Sequence, residues 1–456
     1  MEKSAFIDLV KTLITPLFTG CEIIGEEESN SRDNEVAVGA SGILLCKMDK
    51  NDDYRIVLKR VLPFKNSDAK LVKSILNETK TINDYNIIEE GHKRSLQLYS
   101  LEKAICKTVC EYSYETLHTL ISLLNTWGSR TYEGQPTTFG FVINDTIDSK
   151  QEDVADNLHI SKILTKDFSA LICDGIFSCL ELDCDGYMLN HITIPQLGFA
   201  DTYSPFEFVN MAHQCYINRI GLTLQKNGDM LIFKEQELVF ARRRGQWSSF
   251  SHDEIMAKLA LKPTEQNYDL RKSVYLTALD TAFAKCGGCI AYLKKDNGEA
   301  ILNHIDCFDI VSEKYYEIKK QIEYEKISNS QDLDELLNFQ ETYKDNFKEF
   351  IASNKALKAH TIHKLIRDRK FNELPRIFRQ ELVGIDGATI IDSEGEIVAV
   401  GAIIKINAGS SGGGRLAAAK QLSEYGVALK ISADGTIEGF SYDKNTSQSK
   451  AIFSAG

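Results

Sequence analysis

The stretch from residue 383 to residue 440 constrains this chain more than any other. VGIDGATIIDSEGEIVAVGAIIKI (383 to 406) runs directly into NAGSSGGGRLAAAKQLSEYGVALKISADGTIEGF (407 to 440). Apolar runs, acidic-glycine pairs, a glycine-rich segment and an alanine-rich stretch read in order as strand, tight turn, strand, loop, helix, strand. Such an order belongs to an α/β domain, and a glycine-rich loop leading into a helix is one way in which these domains build an anion pocket.

The same order occurs earlier in the chain. ALDTAFAKCGGCIAYL (278 to 293), a long intervening segment, VGIDGATIIDSEG, a helix and YGVALKISADGTI can be laid beside a helix, FGFVI (139 to 143), LICDGIFSCLELDCDG, a helical PFEFVNMAHQCYINRI and GLTLQKNGDMLIF (221 to 233). The Asp-Gly positions agree while residue identity is low. The expectation is an α/β fold, a mixed sheet flanked by helices, in two diverged tandem copies. The alternative, that α/β domains look alike at this level, stays open. The boundaries expected are a small N-terminal α+β region (1–99), a diverged copy (100–265), a better-kept copy (266–445) with a helical insertion at about 309–371, and a tail (446–456).

Within these regions, GILLCKM and YRIVLKRVL flank Asp49 to Asp53 as a hairpin. From Ser100, the residues Ile105, Val109, Leu117, Leu120, Ile121 and Leu124 share one face of a helix that Trp127-Gly128 ends. ALICDGIFSCLELDCDGYML (170 to 189) reads as strands broken at two Asp-Gly pairs. The insertion is rich in Lys, Glu and Asp at helical spacing. It reads as an arm with a solvated face, packed on the domain flank or used for association.

Charge and cysteine usage exclude several classes. The 65 acidic against 53 basic residues, a formal charge of -12, disfavour sequence-independent attraction to nucleic acid. The one dense basic run, Arg242-Arg243-Arg244, is short. The 11 cysteines lack the spacing of a disulfide scaffold, and Met1 opens a polar start without a long apolar core. A cytoplasmic protein without a membrane span is therefore expected.

Two motifs carry candidate chemistry. In Gly384-Ile385-Asp386-Gly387-Ala388 a strand is expected to end, turn and restart, with Asp386 presenting a carboxylate to a divalent ion or a ribose hydroxyl. A plain Asp-Gly turn is the competing reading. In Gly409-Ser410-Ser411-Gly412-Gly413-Gly414-Arg415, glycine amides can curve around an anion and the serines add hydroxyl donors. The following helix directs its positive end to the same spot, and Arg415 offers a fork of donors. A flexible surface loop is the competing reading. The segment is neither a Gly-Lys-Ser/Thr phosphate loop nor a dinucleotide fingerprint. Cys286, Cys289, His304 and Cys307 have a zinc-like spacing, set against ordinary buried thiols. His360 and His363 share a helix face without a paired carboxylate.

The region from about Arg271 to Phe440 resembles the diadenylate cyclase domain. ALDTAFAKCGGCIAYL, Asp386-Gly387-Ala388 and the glycine-rich loop into its helix carry the resemblance. In that family the aspartate of Asp-Gly-Ala works at the metal and the attacking ribose hydroxyl. An Arg-His-Arg motif after Gly-Thr holds phosphates, and two domains meet face to face. Where the family has Gly-Thr-Arg-His-Arg-Ala-Ala, this chain has Gly412-Gly413-Gly414-Arg415-Leu416-Ala417-Ala418. The earlier copy keeps Asp174-Gly175, a candidate second site, without an Arg-His-Arg. Losing most of the polyphosphate grip weakens a transition state more than it weakens nucleotide recognition.

The resemblance therefore implies a nucleotide or cyclic-dinucleotide (cyclic di-AMP) sensor of bacterial signalling on a degenerate cyclase fold. Asp386, Gly387, Ala388, Ser410, Ser411 and Gly412 to Arg415 would bind the ligand, Mg or Mn could accompany it, and a protein effector or a homodimer would be the partner. Two alternatives stand beside it. One is an atypical cyclase acting on ATP through Asp386 and Arg415, helped by Lys420 or the Arg242 to Arg244 run. The other is a non-catalytic interaction scaffold.

Overall fold

The computed structural model describes residues 3–30, 33–83, 90–146, 158–196, 202–260, 267–294, 297–328, 333–405 and 413–456. Among them are fourteen α-helices and four sheets, in two compact units, residues 1–251 with 455–456 and residues 252–454. No helix among the described residues is long and apolar enough to cross a membrane.

The first unit opens with α1 (Lys3–Leu9) and a four-stranded antiparallel sheet of β1 (Glu22–Glu28), β2 (Val36–Val38), β3 (Leu44–Cys46) and β4 (Tyr54–Lys59), ordered β1-β4-β3-β2. The expected hairpin is β3 against β4, with Leu44 opposite Leu58. Next come α2 (Asn66–Asn83), α3 (Glu90–Val109) and α4 (Tyr114–Trp127). Phe6, Leu44, Ile56 and Val72 share one continuous core with Ile105, Leu120, Phe141 and Leu222. The N-terminal segment is thus built into the same body as the α/β sheet that follows.

The single helix expected from Ser100 is two helices, α3 and α4. Asp145 breaks it: its carboxylate accepts the N–H groups of Glu111 (2.6 Å), Tyr112 (2.8 Å) and Ser113 (2.8 Å) and the Ser113 hydroxyl (2.9 Å). A distant acidic side chain satisfies the amides that a continuous helix would have used. The apolar face continues across the break because both helices pack on the same core.

A small ribbon of β5 (Thr131–Tyr132) and β6 (Gln135–Pro136) leads to the main sheet of this unit. Its parts are β7 (Phe139–Asn144), α5 (Ile160–Ile163), β8 (Ser178–Leu182), β9 (Met188–Thr193), α6 (Val209–Gln214), β10 (Arg219–Leu224), β11 (Met230–Lys234), β12 (Glu237–Arg243) and β13 (Gln246–Ser249). The strand order is β13-β12-β11-β10-β7-β8-β9, with β7 parallel to β8 and the other pairs antiparallel.

The second unit contains α7 (His252–Lys258), α8 (Tyr268–Phe283), β14 (Gly288–Leu293), α9 (Glu313–Ser328), α10 (Leu333–Thr342), α11 (Phe347–Ile351), α12 (Leu357–Ile366) and α13 (Arg376–Gly384). It continues with β15 (Ala388–Ile391), β16 (Ile397–Ala402), α14 (Gly414–Leu422), β17 (Gly426–Ile431), β18 (Ile437–Asp443) and β19 (Gln448–Ala455). Its order is β16-β15-β14-β17-β18-β19, with β14 parallel to β15 and antiparallel to β17. The segment expected as a tail is therefore an edge strand, β19.

Six strands of the two main sheets follow one topology, and their hairpins share turn chemistry. At the β8–β9 turn Asp183 N–H donates to Tyr187 O (3.0 Å), while Asp183 Oδ1 accepts from the amides of Asp185 (3.0 Å) and Tyr187 (2.8 Å). At β15–β16, Asp392 N–H donates to Glu396 O (2.9 Å) and Asp392 Oδ1 accepts from Glu394 and Glu396 (both 2.9 Å). The Gln225–Asp229 turn and the Ser432–Thr436 turn form the second matching pair, closed at 2.8 and 2.9 Å. Each of the four loops has a positive-φ glycine at its fourth position, Gly186, Gly395, Gly228 and Gly435, while the Asp-Gly pair shared by both halves, Asp174-Gly175 and Asp386-Gly387, lies outside them.

The insertion packs onto its own unit. Tyr315, Tyr316, Phe347 and Phe350 join Ala291, Ile390, Val398 and Ala399 in one core. Ile310 bridges to Ala399, so the start of the insertion covers the outer edge of β16.

Candidate functional site

Asp386 lies on a helix-to-strand connection, which corrects the expected strand–turn–strand. Val383 and Gly384 are the last residues of α13. That helix is fixed by a buried fork: Arg376 Nε and Nη2 donate to Asp280 Oδ2 and Oδ1 on α8 at 2.6 and 2.8 Å. With Asp280 3% and Arg376 9% exposed, the pair is desolvated on both sides. Periodicity over five residues cannot tell a helix end from a strand, and this long-range ion pair decides it.

Past α13 the chain turns sharply. Gly387 has φ +112°, and a β-carbon there would stand 2.4 Å from the Gly401 carbonyl carbon on β16. No other residue type fits that contact. Asp386 itself is exposed, and its carboxylate has no hydrogen-bond or ion-pair partner among the described residues.

Arg415 comes to the same edge from another direction. Ile290 of β14 faces Thr389 of the parallel β15, so Gly288 and Gly387, each two residues earlier, lie level. The Arg415 guanidinium rests against Gly287, just before β14, where a β-carbon would meet Nη1 at 2.1 Å. It too has no hydrogen-bond or ion-pair partner among the described residues. Among the described residues, the helix α14 begins here with no side-chain cap, and β-carbons at Gly413 and Gly414 would meet nothing within 4 Å. The positive end of the α14 dipole lies here. Ser410, Ser411 and Gly412 lie outside the described residues.

The other sequence candidates are placed elsewhere. Lys420 sits in the last turn of α14, about 7.5 Å along the axis from Arg415. Within the first unit, Arg242 bonds Asn125 and lies 3.6 Å from Glu102, Arg243 is buried, and the Arg244 amide donates to Asp229 Oδ1 at 3.1 Å. Arg242 and Arg243 are thus taken up by their own unit, while the Arg244 side chain is exposed. The zinc-like set does not assemble: no group of three or more His, Cys, Asp or Glu that could hold a metal occurs among the described residues. Cys286 is exposed, His304 approaches Lys405 O at 3.4 Å, and burial pushes the thiols of Cys289 and Cys307 up to about 12. His363 Nδ1 donates to Val311 O (3.0 Å), and the ring sits edge-on to Phe347.

The first unit's Asp174-Gly175 differs from Asp386-Gly387 in the respect that matters. Asp174 Oδ1 accepts from Ile176 (2.9 Å), Phe177 (2.8 Å) and Ser178 (3.1 Å), closing the turn into β8. Leu171 and Phe177 beside it are 71% and 58% exposed, an apolar rather than a phosphate-binding rim. Sequence reasoning also missed Lys358 and Asp309, whose places beside Gly401 depend on how the insertion folds back.

No family model, curated protein or solved structure matches the chain.

Proposed function

We propose that the edge formed by the starts of β14, β15 and α14 binds a nucleotide. The chain is then a nucleotide or cyclic-dinucleotide sensor on a degenerate diadenylate-cyclase-like fold. The observation that supports this reading is the pair of opposite charges, Asp386 and Arg415, on one sheet edge. Each is exposed, neither has a protein partner among the described residues, and they do not pair with each other. A carboxylate accepts from a ribose hydroxyl, a guanidinium grips a phosphate oxygen, and the positive dipole end of α14 favours an anion. One arginine and a helix end suit phosphodiesters better than a polyphosphate transition state, which needs several cations at once.

Mg²⁺ or Mn²⁺ would be held here by Asp386 jointly with ligand phosphates, since one carboxylate supplies too few oxygens alone. The metal would neutralise phosphate charge. Asp386 would orient the ribose, and Arg415 would fix the phosphate position.

The test is calorimetric titration with cyclic di-AMP, other cyclic dinucleotides and ATP with magnesium, followed by product analysis of the ATP mixture. Binding of a cyclic dinucleotide without turnover supports the sensor. Pyrophosphate release from ATP would replace it with an atypical cyclase, and silence from every ligand would leave an interaction scaffold.

A further inference from the structure

The insertion brings a second cation to this edge. Lys358, on the first turn of α12, donates from its ammonium to the Asp309 carboxylate and to the Gly401 carbonyl (2.9 Å). The other oxygen of Asp309 accepts the Ile403 amide at 3.2 Å, and Asp309 is 8% exposed, so the carboxylate is a fixed anchor. Gly401 is the residue against which Gly387 packs. A β-carbon at Gly401 would lie 3.0 Å from the Asp386 carbonyl oxygen and 3.4 Å from the Lys358 ammonium. Lys358 and Asp386 therefore flank a single glycine.

An ammonium has three donors. Two are taken by protein acceptors, and the third has no partner among the described residues, on a side chain 38% exposed. Leu357 and Ile403, each 64% exposed, stand beside it in the chain and at the Asp309 anchor.

We infer that Lys358 is a phosphate-contacting residue of the site, supplied by the insertion, so that Arg415 at β14 and Lys358 at β16 bracket Asp386. This inference rests on the nucleotide reading above. Strands lie about 4.8 Å apart, so the two cations are separated by roughly 10 Å of sheet, room for two phosphate groups rather than one. A ligand with two separated phosphate charges and a sugar between them is the class that matches. Asp309 does not cancel the contact. It holds a long, flexible side chain in one orientation, which removes most of the entropy cost of ordering a lysine on binding.

The test compares the full chain with its Lys358→Gln and Lys358→Arg variants. Cyclic di-AMP binding is measured by calorimetry, adenosine binding by ligand-observed NMR, and folding by thermal melting. The expected result is cyclic di-AMP binding weakened about tenfold in Lys358→Gln, largely recovered in Lys358→Arg, with the adenosine signal unchanged. Cyclic di-AMP binding unaffected by Lys358→Gln would overturn the inference and leave the nucleotide site standing. So would an equal loss for cyclic di-AMP and adenosine, which would make Lys358 a structural pin. Failure of the unsubstituted chain to bind cyclic di-AMP would overturn both.

Discussion

Asp174 and Asp386 occupy comparable places in the two sheets, and their substitution should have reciprocal effects. Asp174→Ala removes an oxygen that accepts three backbone amides, at 2.9, 2.8 and 3.1 Å. Those amides are near solvent and can rehydrate, so the loss is about 1–3 kcal/mol rather than three full hydrogen bonds. For a domain of roughly 150–250 residues, each kcal/mol lowers Tm by about 2–4 °C, giving a fall of about 2–12 °C. Asp386→Asn removes a charge with no protein partner among the described residues, so stability should hold within about 0.5 kcal/mol. Ligand binding loses one charge-assisted hydrogen bond, about 1.5–3 kcal/mol, or about 10- to 150-fold in Kd. Differential scanning calorimetry and titration with cyclic di-AMP measure both quantities on both variants. Asp386→Asn melting as early as Asp174→Ala, or binding unaltered in Asp386→Asn, would refute the assignment of one aspartate to the turn and the other to the ligand.

Two further outcomes follow from buried charge. Asp280→Ala leaves Arg376 buried without its fork partner and should cost about 3–5 kcal/mol, while Asp280→Leu with Arg376→Met should recover much of it; chemical denaturation decides, and a single-variant cost below about 1 kcal/mol would be inconsistent with the burial. Burial alone would raise the Asp145 carboxyl, but the amides of Glu111, Ser113 and Tyr112 and the Ser113 hydroxyl outweigh it and hold the group below the usual range. A depressed folded pKa means that its stabilisation is present above the unfolded value, about pH 4, and is lost as pH falls through the lower folded value. Acid titrations of the parent and of Asp145→Asn should therefore differ most above pH 4 and converge below it, whereas a constant difference down to pH 2 would contradict the sign.

Local chemistry was legible in the sequence wherever it closes within a few residues. The Asp-x-x-Gly turns, the hairpin of β3 and β4, and the repeated strand order all come from short-range rules of dihedral preference and periodicity. The helix α14 after the glycine-rich segment was legible for the same reason. The break between α3 and α4 was not, because it depends on Asp145, more than 30 residues away from the amides it caps.

Composition and pattern by themselves determined an α/β chain with two similar halves, a candidate aspartate and a candidate arginine. Only the tertiary structure decided which of two Asp-Gly aspartates is free, since a carboxylate's availability depends on what already donates to it. The same holds for Arg242, bound to Asn125, and for Lys358, which looked like part of a solvated face until Asp309 and Gly401 were seen to hold it. Hydrogen-bond satisfaction is a property of groups brought together across the chain, and sequence spacing does not record it.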